Sequence, residues 1–181
     1  MTKNEFWKSA SRWGLILGLA LFVMSLVSWA LKLEQNKTTW AVELLKFLVI
    51  CPAILYTGVR NARLGGPAGY PYGQAVGYIF AMMMFAGIVY GIGRFLMVNF
   101  IARDYYDAIN EAALAEAMQK LQGSPMAEQM GMMTRMMTNP IVLLLSGILE
   151  MVVKGGFLGL ILAAFFKKNP DIFAARADVV N

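Results

Sequence analysis

Between Tyr72 and Gly93 the chain reads YGQAVGYIFAMMMFAGIVYGIG, inside a longer charge-free stretch bounded by Arg63 and Arg94. A hydrocarbon core of ~30 Å takes about 20 helical residues at a rise of ~1.5 Å each, so this run is long enough to cross a bilayer. Working outward, two similar runs precede it. Trp13 to Leu31 is charge-free between Arg12 and Lys32, and Trp40 to Val59 is apolar except for Glu43 and Lys46. One follows, Ser146 to Phe166, carrying Glu150 and Lys154. The sequence therefore predicts an all-α polytopic membrane protein, a single domain over residues 1–181 with four transmembrane helices at about 13–31, 40–59, 72–93 and 146–166. Composition agrees: 59% hydrophobic and 15% charged residues depart from the roughly one-half and one-quarter of a soluble domain.

Orientation follows from Lys and Arg, which are retained on the cytoplasmic side. With the amino terminus inside, that side holds Lys3, Lys8, Arg12, Arg60, Arg63, Lys167, Lys168 and Arg176. The outer side holds Lys32, Lys37, Arg103, Lys120 and Arg135, diluted by Glu34, Asp104, Asp107, Glu111, Glu116 and Glu128. Both termini are expected in the cytoplasm, and the net charge of +5 is read as flanks facing anionic lipid. The first span resembles a secretory signal in having a basic start, but its apolar run exceeds the usual 7 to 15 residue signal core, so it is expected to be an anchor.

Between the third and fourth spans, about 102–139, an extracytoplasmic helical hairpin is expected. Asp104 to Leu121 has helical spacing of Ala113, Leu114, Ala117, Met118 and Leu121; Gly123-Ser124-Pro125 breaks it, and Met126 to Met137 resumes. Met126, Met130, Met133 and Met137 form a stripe. Thioethers bind Cu(I), yet the same stripe is the apolar face of an amphipathic helix, and no metal or cofactor is expected. The acidic face Asp104, Asp107 and Glu111 lacks a Gly-containing ligand loop and reads as solvated surface.

Counting from the cytoplasmic ends places Glu43, Lys46, Arg94, Glu150 and Lys154 in the outer third of the membrane. Charged groups in hydrocarbon cost roughly 2.5 to 3.5 kcal/mol each on insertion scales, so they pair, face water or snorkel. Glu43 and Lys46 are i,i+3, and Glu150 and Lys154 are i,i+4, both with the acid first. Arg94 is left without a match. Two readings stay open: a water-filled outer vestibule for an anion, a lipid headgroup or a partner's acidic group, or charges that cross-link the span tops while Arg94 snorkels.

Gly14/Gly18, Gly73/Gly77, Gly87/Gly91 and Gly155/Gly159 have Gly-xxx-Gly spacing and are expected to pack the bundle internally. Pro52 should kink the second span. Cys51 sits in an apolar run and reads as a small buried hydrophobe. The chain contains no His, which removes Ser-His and Cys-His nucleophile pairs, HExxH zinc sites and His-ligated haem. Walker and dinucleotide fingerprints and a nucleic-acid constellation are also missing.

The stretch Arg60-Asn61-Ala62-Arg63-Leu64-Gly65-Gly66, with the Gly- and aromatic-rich third span after it, resembles a family of small bacterial four-span membrane proteins catalogued as a domain of unknown function. The run Gly155-Gly156-Phe157-Leu158-Gly159-Leu160-Ile161 through Phe166-Lys167-Lys168 looks like that family's closing pattern. The resemblance implies the same fold and a bacterial inner membrane, and carries over no activity. The expected function is that of a non-enzymatic accessory, scaffold or lipid-contacting subunit of the envelope. Its expected partners are membrane lipid and either another envelope protein or a second copy. The alternative is a small oligomeric transporter or channel for an anionic or protonatable solute.

Overall fold

A computed structural model of the protein describes residues 3–33, 39–65, 69–120 and 139–168. The elements are helices α1 (Lys3–Ala30), α2 (Thr39–Leu64), α3 (Tyr72–Leu96), α4 (Arg103–Lys120) and α5 (Pro140–Phe166), with a π-helical turn, Met97–Ile101, between α3 and α4. Among the described residues four helices are long and apolar enough to cross a membrane: Asn4–Ala30, Trp40–Leu64, Tyr72–Ile101 and Ile141–Phe166. The protein is thus an all-helical, four-span membrane protein. The bundle is apolar outside as well as inside. Leu19 and Val23 of α1, Leu48 of α2, and Leu149, Val153 and Phe157 of α5 all point outward, as lipid-facing residues do.

The centre of the bundle is α3, the most hidden span, which packs most extensively against α5 and then α1. Glycine explains the closeness. A Cβ on Gly14 or Gly18 of α1 would fall 2.5 to 2.8 Å from the Met82 or Ala86 carbonyl oxygen of α3. A Cβ on Gly87 or Gly91 of α3 would fall 2.8 Å from Ile148 Cα or 2.7 Å from the Leu144 carbonyl oxygen of α5. Where Gly147 meets Gly91 the two backbones all but touch. Gly155 and Gly159 of α5 face Met83 and Ile79 of α3.

Gly73 and Gly77 do not follow the packing expectation: nothing among the described residues lies within 4 Å of a Cβ at either position. They occupy the exposed face of α3, whose buried face is set by Ala75, Tyr78, Ile79 and Met82. Spacing alone places two glycines on one face without saying which face is covered.

Helix α2 packs less densely and touches α1 and α5 more than α3. Its inner face runs Lys46, Ile50, Ile54, Thr57, Asn61, at intervals of three and four residues. Ile50 and Ile54 share one core cluster with Met82, Met83 and Met151, so the middle of the bundle is filled by apolar side chains. Pro52 lies inside the continuous helix α2.

At one end of the bundle, Tyr70 and Lys168 exchange two backbone hydrogen bonds, 2.7 and 2.9 Å, and the Ser9 and Tyr78 hydroxyls lie 3.0 Å apart. The start of α1, the α2–α3 connection and the exit of α5 therefore share this proximal end. Here Arg60 sits over the Trp13 ring, 6.0 Å from its centroid, and Tyr56 meets Trp13 edge-on. Asn61 and Tyr70 are each 1% exposed. Their side chains are close enough to interact, yet among the described residues neither Asn61 Nδ2 nor Tyr70 Oη has a hydrogen-bond partner of good geometry. Burial pushes the Tyr70 phenol above its ordinary range.

Helix α5 begins at Pro140, six residues before the expected start of the fourth span at Ser146. Asn139 caps it, its side-chain oxygen accepting from the Ile141 backbone N–H at 2.9 Å, and Pro140 occupies the first turn. Counting back from the Lys167 end by bilayer thickness truncates a helix longer than the hydrocarbon it crosses. Helix α4 covers most of the first arm of the expected hairpin. Met126 to Met137, with its methionine stripe, lies outside the described residues.

Candidate functional site

At the distal end of the bundle, opposite Tyr70 and Lys168, the five intramembrane charges come together. Each is delivered by its helix register. Glu43 and Lys46 share one side of the first turns of α2; Glu150 and Lys154 share one side of α5; Arg94 lies in the last turn of α3. The glycine contact of Gly91 with Leu144 and Gly147 draws α3 and α5 together near Arg94 and Glu150.

The result is a chain of alternating charge. Lys46 Nζ donates to Tyr90 Oη at 3.2 Å and to Glu43 Oε1 at 2.6 Å. The other Glu43 oxygen, Oε2, accepts from Lys154 Nζ at 2.6 Å. Lys154 also donates to Glu150 Oε1 at 2.6 Å, and Glu150 Oε2 accepts from Arg94 Nη1 at 3.2 Å. The path runs from α3 through α2 and α5 and back to α3, where Tyr90 and Arg94 are one helical turn apart. Lys46 is 6% exposed and lies over the Tyr90 ring at 5.6 Å, while Lys154 lies over the Phe47 ring at 5.7 Å. Both ammonium groups thus exchange water for carboxylate oxygen and aromatic face.

Arg94 is therefore not the unmatched charge that the linear sequence implied. Its partner is Glu150, separated by 56 residues, and no local spacing could show it. The same holds for Lys154 and Glu43, 111 residues apart. Tyr90 also escaped the sequence reading, although its i,i+4 relation to Arg94 put it on the right face.

A cavity of about 220 Å³ opens beside the network. It is lined by Ser25 of α1, Glu43 and Lys46 of α2, Tyr90 and Arg94 of α3, Met97 of the π turn, Tyr106 of α4 and Glu150 of α5. Every described helix contributes. The π turn, in which the Ala102 N–H donates to the Met97 carbonyl at 2.8 Å, carries the chain from α3 into α4 and sets Tyr106 over the cavity. Such a pocket can hold a charged group out of bulk water and pair it with fixed partners. Among the described residues no group of three or more His, Cys, Asp or Glu is arranged to hold a metal ion. On α4, Arg103 and Asp107 form an exposed pair at 3.6 Å.

A family model described as a protein of unknown function, DUF4199, matches residues 12–168. No curated protein and no solved structure matches the chain.

Proposed function

We propose, for a chain that belongs to the DUF4199 family, a non-enzymatic role in the bacterial inner membrane: an accessory, scaffold or lipid-contacting subunit of the cell envelope that works by binding. The observation that carries this reading is the charge network itself. Every one of its carboxylate oxygens is engaged by a cation, and the network ties the loosely packed α2 to α3 and α5. Ion pairing of this kind engages these carboxylates and cations with one another across helices, which suits a cross-linking or binding role. The wide lipid-facing surface and the apolar middle of the bundle suit a body that is held in the membrane and presents its ends to other molecules.

Placement follows the charge distribution, with the proximal end in the cytoplasm and the cavity facing outward. Eight Lys and Arg flank the proximal side against five on the distal side, and the distal five are accompanied by acids. A reporter fused after Asn181 tests this: cytoplasmic reporter activity is expected, and a periplasmic signal would reverse the topology. Affinity purification of the full chain in mild detergent, with mass spectrometry of co-purifying proteins and lipids, tests the role. A stoichiometric envelope protein or a retained lipid is expected; recovery of neither would reject the binding role.

The second reading, a small oligomeric transporter or channel for an anionic or protonatable solute, draws on the cavity and its charged lining. It makes the opposite forecast for two variants. A solute path requires Glu150→Gln or Lys154→Met to change flux in proteoliposomes without loss of thermal stability, whereas a binding and cross-linking network loses stability and shows no flux to change.

A further inference from the structure

The alternating chain has cations at both ends. Three cations, Lys46, Lys154 and Arg94, alternate with two carboxylates, Glu43 and Glu150, so Lys154 in the middle has two carboxylate partners and the terminal Lys46 and Arg94 have one each. The circuit nearly closes in space, since Lys46 is held on Tyr90 and Arg94 is one turn further along the same helix. The cavity lies at that closure. Lys46 and Arg94 both line it, and Lys154, whose carboxylate partners are complete, does not.

Donor chemistry fits the charge count. A guanidinium carries five N–H donors in a planar fork, and Arg94 gives one of them to Glu150 while its side chain stays 42% exposed. The Lys46 ammonium has three donors and gives two, to Glu43 and Tyr90. The two carboxylates on the cavity wall have both oxygens engaged by cations, and the network they belong to, three cations against two carboxylates, carries a net +1 beside the cavity. A cation entering here would add to that excess positive charge, and a neutral group would leave it as it is.

We propose that this cavity binds an oxyanion group, phosphate or carboxylate, which bridges Lys46 and Arg94 and makes the sixth member of the alternating circuit. The inference rests on reading the network as a binding centre. A volume of about 220 Å³ accommodates such a group together with part of the molecule that carries it, whether an anionic lipid headgroup or a small solute. Bridging also joins α2 to α3 at their most sparsely packed boundary, so the ligand stabilises the bundle as it binds.

Thermal unfolding of the delipidated full chain tests this with two probes: inorganic phosphate against chloride at constant ionic strength, and nanodiscs of phosphatidylglycerol against phosphatidylcholine. A saturable rise in Tm with phosphate identifies a small-solute site; a rise confined to phosphatidylglycerol identifies a headgroup site. In either case Arg94→Gln should weaken the response by about tenfold or more, the loss of a charge-assisted contact. Arg103→Gln, on the exposed α4 pair, should leave it intact. Should Arg94→Gln not fold, Arg94→Lys keeps the charge, loses the planar fork, and should still weaken the response measurably. The proposal is overturned if the wild type responds to neither probe, if the Arg94 variants respond as the wild type does, or if Arg103→Gln loses the response equally. A protein partner recovered by affinity purification would survive that failure, because it reports on the binding role and not on the anion.

Discussion

Lys154 is the residue on which the distal network turns, because it alone joins both carboxylates and so joins α5 to α2. Removing one member of a fully buried ion pair costs about 3–5 kcal/mol when the partner is left charged and uncompensated. Here Glu43 keeps Lys46 and Glu150 keeps Arg94, so Lys154→Met should cost nearer 2 kcal/mol, read as a lowered detergent or denaturant midpoint. A double-mutant cycle with Glu43→Gln should return a coupling of about 1 kcal/mol or more; additive effects would mean that the cross-helix contact is not made in the membrane. At the other end, Tyr70→Phe should raise stability by about 1 kcal/mol, since it deletes a buried hydroxyl that has no well-formed hydrogen bond among the described residues. The Tyr70 phenol is also pushed above its ordinary value of 10.0 by burial, so its neutral form is favoured in the folded state. The corresponding stability is fully present below about pH 10 and is lost as pH rises through the folded value. Alkaline unfolding curves should therefore be flatter for Tyr70→Phe than for the wild type, and identical curves would contradict the assignment.

Single elements carry their own signatures. Helix α1 ends in a Schellman arrangement: Leu33 N–H donates to the Ser28 carbonyl at 3.0 Å and Lys32 N–H to the Trp29 carbonyl at 2.9 Å. The reversal is made by Lys32 at φ 51°, a left-handed conformation that costs a non-glycine residue about 1 kcal/mol. Lys32→Gly should recover up to that amount, measured by thermal shift, whereas a loss of stability would mean that the Lys32 side chain contributes more than the strain costs. The glycines divide by face. Gly18→Ala should destabilise by about 1–3 kcal/mol, because its Cβ would meet the Val89 Cβ at 2.7 Å. Gly77→Ala meets nothing within 4 Å among the described residues and should be neutral or stabilising by up to about 1 kcal/mol through helix propensity. Equal effects at the two positions would refute the packing of α1 on α3.

In the whole molecule, cohesion is uneven. The α1–α3–α5 assembly is a close-packed glycine-mediated core, and α2 is held beside it by fewer apolar contacts plus the charge network. Loosening the network should therefore release α2 first. In hydrogen exchange of Lys154→Met, amides of α2 should lose protection well before those of α3, and uniform loss across the bundle would show that the network is not a local clasp. The four spans, their apolar exterior and the clustering of charge toward one end were legible from the sequence, because bilayer thickness fixes span length and the cost of charge in hydrocarbon fixes where charge is tolerated. Local pairs Glu43–Lys46 and Glu150–Lys154 were legible for the same kind of reason, being set by helix period. The match of Arg94 with Glu150, the Glu43–Lys154 link, the Tyr90 contact and the exposed position of Gly73 and Gly77 were decided by the rotation and approach of whole helices. Those are properties of interhelical packing, where residues 56 and 111 positions apart meet at hydrogen-bond distance, and periodicity within one segment contains no term for them.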